Sequence, residues 1–274
     1  TLLPSPVGRC DSTRMSCPDS SIFYERLRVE HHLEFEHFRD AALVVIPARN
    51  EARTVGEVIS RVQRLGFDVA VVDDRSEDDT PARARAAGAV VLEMPFNTGA
   101  WIAMQTGIRY GIGRGYRFVV TLDADGQHDP AAIPAMWEAY SSKCAPNVIV
   151  GSCTGRGSRG RKFTWWFFRN LAGLHVKDLT SGYRIYDRTA MQLVAGKEAT
   201  LLEYQDVGVL ILLKRGGMQL CEVDIEMQAR TAGKSRIFHS WLKVVYYLAC
   251  SFLLLASKIR RPGPVGRVSA VKCP

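Results

Sequence analysis

The feature that most limits how this chain can fold is a set of short, uninterrupted apolar runs. Leu43–Ile46, Val69–Val72 and Phe118–Val120 contain no polar residue. A strand with one wet face alternates apolar and polar side chains, so runs of this kind belong to strands buried on both faces. Between them lie helical stretches near 52–65, 81–87, 97–113 and 130–140, with further strands at 89–92 and 147–151. Such alternation predicts a mostly parallel α/β sheet with helices on both faces, in a single domain. Downstream, the pattern predicts a turn and strand over 177–187, a helix over 201–215 and an alternating strand over 218–227.

Three of the apolar runs lead into carboxylates or amides: Asn50-Glu51, Asp73-Asp74, and Asp123-Ala124-Asp125-Gly126-Gln127-His128. Ligands of open parallel sheets bind beyond the C-terminal ends of the strands. In an extended segment alternate residues point the same way, so Asp123, Asp125 and Gln127 could converge on one point. Their oxygens are hard donors of the kind that suit Mg²⁺ or Mn²⁺, which commonly arrive with substrate phosphates. Asp-Gly and His-Asp-Pro are also ordinary turn chemistry, and a plain turn fits this stretch taken alone. The recurrence of acids at neighbouring strand ends favours a ligand site.

The formal net charge of +8 suits a polyanionic partner: a phosphorylated small molecule, an anionic membrane surface or nucleic acid. The basic residues gather in two loop-like stretches, 153–162 and 230–236, without interleaved aromatics. That distribution argues against nucleic acid. The seven cysteines form no CxxC pair and are expected as reduced thiols. With no leader pattern at the start, a cytoplasmic protein is expected. His31, His32 and His37 fall in an amphipathic stretch over 21–40 and read as a solvated helix face. Phe163–Leu174 is an aromatic-rich helix that suits either the core or a wall for an apolar substrate. Trp241–Ser257 is apolar apart from Lys243 and is followed by Lys258, Arg260 and Arg261. It is shorter than the roughly 20 residues of a spanning helix, so an interfacial helix at a membrane surface is expected, with a buried C-terminal helix as the alternative. The expected division is an N-terminal tail and helical segment (1–40), the α/β domain (41–236), the apolar helix (237–261) and a tail (262–274).

Six short motifs occur in order along this chain: VVIPARNE (44–51), VVDDRSEDDT (71–80), NTG (97–99), LDADGQHDP (122–130), DLTSGYRIYD (178–187) and RTAGKSR (230–236). In them the chain resembles the second glycosyltransferase family, with its GT-A fold, and within it the polyprenyl-phosphate sugar transferases of the dolichyl-phosphate mannose synthase type. The resemblance implies inverting transfer of a sugar from a GDP- or UDP-sugar to a lipid phosphate, with Mg²⁺ or Mn²⁺, at the cytoplasmic face of a membrane. It implies that Pro47, Arg49, Asn50 and Glu51 line the nucleoside pocket and that Asp73 or Asp74 meets the base or ribose. Asp123, Ala124, Asp125 and Gln127 would meet the metal and diphosphate, and Arg156, Arg184, Arg230, Ser235 and Arg236 the acceptor or its phosphate. An anionic phosphate acceptor needs no protein base; a hydroxyl acceptor would, and Asp206 is then the candidate. A non-catalytic nucleotide-sugar binding protein on the same fold is the alternative outside the enzymes. The chain departs from the family pattern at Ala100-Trp101, at Gly208, and at Gly151-Ser152-Cys153, where no arginine follows.

Overall fold

The computed structural model describes residues 33–141, 145–153, 173, 176–200, 202 and 207–227. A helix over 33–40 (α1) leads into β1 (Ala42–Ala48), α2 (Val55–Gln63), β2 (Asp68–Asp73), α3 (Thr80–Ala86), β3 (Val90–Glu93), α4 (Ala100–Gly113) and β4 (Phe118–Thr121). After a 3₁₀ turn (Pro130–Ala132) come α5 (Ile133–Ser141), β5 (Val148–Ser152) and β6 (Arg184–Asp187). The described chain continues through α6 (Arg188–Val194), α7 (Lys197–Thr200), α8 (Val207–Arg215) and β7 (Leu220–Asp224).

The seven strands form one sheet in the order β3-β2-β1-β4-β6-β5-β7. The apolar runs sit where their composition requires: all seven residues of β1 are buried. Leu43, Val45, Ala70, Val72 and Val119 face one core, closed by α4, α6 and α8. Val44, Ile46, Val69, Val71 and Val120 face the other, closed by α1, α2, α3 and α5. Helix α4 approaches the sheet closely because residue 107 is glycine. A Cβ there would lie 2.2 Å from Cγ1 of Val45, well inside van der Waals contact.

Pairing is parallel for β1–β2, β1–β4, β2–β3 and β5–β7. Strand β6 is the exception, lying antiparallel between β4 and β5. A strand over 177–187 was expected; its direction was not, because residue patterns encode which faces are buried and not which way a strand runs. Helices α6 and α7 were not expected. The helix expected from 52 starts at Val55, and the one expected from 201 is seen from Val207.

The folded unit reaches back before β1. Phe38 is 1% exposed and stacks on Trp137 at 4.0 Å and 12°, with Phe67 and Phe118 edge-on to it. Ring pairs of this geometry add about 0.5–1.5 kcal/mol to the gain from burial alone. Phe38→Ala is therefore expected to cost about 3–5 kcal/mol of stability, read as a lowered denaturant midpoint with an unchanged slope. A loss below about 1 kcal/mol would mean that α1 is not part of the cooperative unit.

Candidate active site

Strands β2, β1 and β4 are neighbours and run parallel. Their C-terminal ends, and the acids that follow, therefore open onto one edge of the sheet. The loops there are built from side chains that bind backbone. The amides of Asn50, Glu51 and Ala52 donate to Ser76 Oγ (2.9 Å), Thr80 Oγ1 (2.8 Å) and Asp78 Oδ2 (3.3 Å). In return the Glu77 amide donates to Asn50 Oδ1 at 2.7 Å. Asn50 holds φ at 54° and Arg75 at 61°, and asparagine tolerates this left-handed region better than most residues. The loops after β1 and β2 are thereby zipped together, and that capture of amides explains why α2 starts three residues late. Partial burial works against charge on Asp78, but hydrogen bonds from Thr80 and Ala52 outweigh it and hold the carboxyl below its usual range.

The adjacent acids Asp73 and Asp74 do different work. Both Asp74 oxygens are committed: Oδ1 accepts from the amide (2.6 Å) and hydroxyl (2.9 Å) of Thr98, and Oδ2 from the Gly99 amide (2.9 Å). This latch gives the NTG motif its physical meaning, since Gly99 turns into α4 at φ 87°. Asp73 is 3% exposed; its Oδ2 accepts from the Ser76 amide at 3.1 Å, whereas Oδ1 has no hydrogen-bond partner. Nε of the half-buried Arg49 is likewise buried without a partner. Of the expected nucleoside contacts, Asp74 and Asn50 are thus occupied within the protein, and Asp73 keeps a free acceptor. Pro47 is buried within β1, opposite Val72, and Glu51 is half-buried, accepting a long bond (3.4 Å) from the Thr54 hydroxyl.

The stretch after β4 is not extended throughout. Leu122 and Ala124 both enter the core, which turns Asp123 away from it. The backbone then turns at Ala124–Gly126, with Gly126 at φ 76°. Asp125 Oδ1 accepts from the Gln127 amide at 3.0 Å, an Asx turn. Gln127 consequently does not continue the two-residue alternation expected from an extended strand. Asp125 is 8% exposed, and the Asp123 side chain is 41% exposed. Among the described residues no three His, Cys, Asp or Glu side chains form a metal cage. Two carboxylates, one buried and one open to solvent, fit a hard cation that completes its coordination with substrate oxygens and water.

The rest of this loop is strongly anchored. Asp129 pairs with Arg61 of α2 at 2.6 Å and caps the 3₁₀ turn through the Ala131 amide at 2.9 Å. The Tyr183 hydroxyl donates to the Asp129 carbonyl at 3.0 Å, and burial pushes that phenol's pKa up. His128 is 2% exposed, accepts from the Asp123 amide through Nδ1 at 3.2 Å and forms an antiparallel bridge with Met227.

On the expected acceptor side, Arg184 opens β6. It is 1% exposed, donates through Nη1 to Tyr186 Oη at 3.3 Å, and lies opposite Thr121, the last residue of β4. Arg156, Asp206, Arg230, Ser235 and Arg236, with the apolar stretch 241–257, lie outside the described residues. The DLTSG motif is a turn: Asp178 Oδ1 accepts from the amide (3.0 Å) and hydroxyl (2.9 Å) of Thr180. Trp101, the departure from the family pattern, is 2% exposed and donates to the Ala199 carbonyl at 2.8 Å. One and two turns further along α4, Gln105 donates to the Val194 and Gly196 carbonyls and Arg109 to that of Ala195. Polar residues four apart on an apolar helix were the available signal for this row.

The family model described as Glycosyl transferase family 2 matches residues 43–194. An undecaprenyl-phosphate mannosyltransferase from Micrococcus luteus is 30% identical over 216 residues, covering 71% of this chain and 86% of that one. A polyprenol monophosphomannose synthase from Mycolicibacterium smegmatis is 28% identical over 170 residues, 56% of this chain and 63% of its own. Among solved structures, glucosyl-3-phosphoglycerate synthase from Mycobacterium tuberculosis, crystallised with Mn²⁺, UDP-glucose and phosphoglyceric acid, superposes with a TM-score of 0.63. It covers 82% of this chain and 84% of its own at 21% identity, a likeness of fold. With the family match spanning more than half of the chain and the strand-end acids on one edge of a GT-A sheet, the chain belongs to glycosyl transferase family 2 and is a glycosyltransferase.

Proposed function

We propose that this glycosyltransferase moves a sugar from a GDP- or UDP-sugar to a polyprenyl or dolichyl phosphate, with inversion at the anomeric carbon. The observation that carries the reading is the convergence of Asp73, Asp123 and Asp125 on one edge of three adjacent strands. The names of the relatives, a mannosyltransferase and a mannose synthase for polyprenyl phosphates, support the acceptor. The buried, free oxygen of Asp73 suits an N–H of the base, which guanine and uracil both offer. Asp123 and Asp125, with Gln127, would hold Mg²⁺ or Mn²⁺. When bound, the ion offsets the negative charge that builds on the leaving diphosphate.

In the transfer, an acceptor phosphate oxygen forms a bond to the anomeric carbon from the face opposite the nucleotide. The bond from that carbon to the diphosphate oxygen breaks, and its electron pair leaves with the nucleoside diphosphate. The acceptor is already an anion at neutral pH, so the chain supplies orientation and charge balance rather than a base. Arg156, Arg230 and Arg236 are the groups we assign to the acceptor phosphate, since guanidinium forks suit phosphate oxygens. The lipid acceptor places the reaction at a membrane surface, on its cytoplasmic face. Among the described residues no helix is long and apolar enough to cross a membrane, and the net charge of +8 favours an anionic surface.

Purified protein with Mn²⁺ is offered UDP- and GDP-sugars with and without a short polyprenyl phosphate, and nucleoside diphosphate release is measured. Release is expected with one donor class and to depend on the lipid phosphate. No release from any donor in the presence of acceptor would sink the reading. Equal release with a soluble hydroxyl acceptor would favour the Asp206 base instead. In the same assay Asp125→Ala is expected to lower kcat by at least about 100-fold, and unchanged turnover would remove the metal–diphosphate assignment. Asp73→Asn is expected to raise KM for the donor roughly tenfold with little change in kcat. An unchanged donor KM would take Asp73 out of the nucleoside pocket.

A further inference from the structure

We propose that His128 is a positioning residue. It fixes the backbone from which Asp123 and Asp125 meet the metal–diphosphate, and the inference rests on the donor reading above. Two carboxylates two residues apart repel one another, and the backbone turns just beyond them, through the Asx turn of Asp125 and Gly126. Something must hold them in one arrangement. The imidazole is 2% exposed and reaches back five residues, its Nδ1 lying 3.2 Å from the Asp123 amide nitrogen. A backbone N–H can only donate, so Nδ1 presents a lone pair and the neutral ring carries its proton on Nε2. The same nitrogen is 3.6 Å from Asp123 Oδ2, beyond hydrogen-bond reach. The ring thus grips the main chain of Asp123 rather than its carboxylate.

The grip is itself anchored from three directions. The ring lies 5.1 Å from that of Tyr183 at 38°, just ahead of β6. The backbone of His128 bridges to Met227, beyond the end of β7. Its neighbour Asp129 is tied to Arg61 of α2. A side chain used only for packing would not need an acceptor at Nδ1. One used to aim a ligand would, and losing such partners commonly weakens a metal site roughly 10- to 100-fold.

The test is calorimetric titration of Mn²⁺ into the full chain with UDP or GDP present, for the wild type, His128→Ala and His128→Asn, with melting temperatures for all three. Asparagine places an amide oxygen near the position of Nδ1. His128→Ala is expected to bind Mn²⁺ roughly 10- to 100-fold more weakly, and His128→Asn to recover most of that loss. Nitrogen NMR of the wild-type ring is expected to find the neutral form protonated on Nε2. This measurement decides the matter if the alanine variant fails to fold. Wild-type-like binding by His128→Ala, a His128→Asn that melts normally but binds no better than His128→Ala, or a proton on Nδ1 would each overturn the inference while leaving the donor reading intact. Failure of the wild type to bind Mn²⁺ with either nucleotide would overturn that reading and this inference together.

Discussion

Everything in this protein follows from burying β2, β1 and β4 on both faces. Parallel strands cannot be joined by tight turns, so each connection must cross the sheet and return, and a helix is the compact way to do so. Once helices close both cores, strand ends are the places where the backbone is free to meet a ligand. The alternate residues of β1 enter opposite cores, so no register slip can expose one face without opening the other. This rigidity is transmitted to the loops: Asp73 is the last residue of β2, and Asp123 follows β4 by one residue beyond Leu122.

Such loops carry a problem of their own. Their amides leave the ladder while still partly buried, and each one left unsatisfied would cost about 1–3 kcal/mol. Much of the polar chemistry in the motifs is used on that problem. Asn50, Ser76, Asp78 and Thr80 join two loops, Asp74 turns the chain into α4, and Asp178 closes the turn before β6. What is left over is smaller than the motifs suggest: Oδ1 of the buried Asp73 has no hydrogen-bond partner. A run such as VVDDRSEDDT is therefore mainly a prescription for loop geometry, with a single carboxylate oxygen, on Asp73, left over.

That division explains which parts were legible in advance. Continuous apolar runs identify β1, β2 and β4 because burial on both faces leaves only that composition, and acids beyond them mark the edge. Which acid is structural cannot be read from the letters. Asp73 and Asp74 are identical residues, and only the arrival of Thr98 and Gly99, 24 and 25 positions later, separates them. The burial of Arg184 was hidden for a similar reason. It lies opposite Thr121 and Val150, and its burial is created by the antiparallel insertion of β6, a long-range pairing with no local signature. His128 read as turn chemistry because its partner atoms are a backbone amide and a bridge to Met227, neither visible in side-chain patterns.

Trp101 shows how the two sides of the sheet edge are joined mechanically. At the start of α4, Asp74 holds Thr98 and Gly99 beside Asp73 at the end of β2. Along the same helix, Trp101, Gln105 and Arg109 hold the carbonyls of the 194–199 segment. A helix of 14 residues packed on the sheet through Gly107 behaves as a rigid bar. The β3–α4 loop and the α6–α7 turn are therefore fixed to one body and cannot shift independently. A small residue at 101 would leave the Ala199 carbonyl unclaimed by this helix. Here the indole both fills the core and takes that carbonyl, so a departure from the pattern in sequence is a gain of connection in the structure.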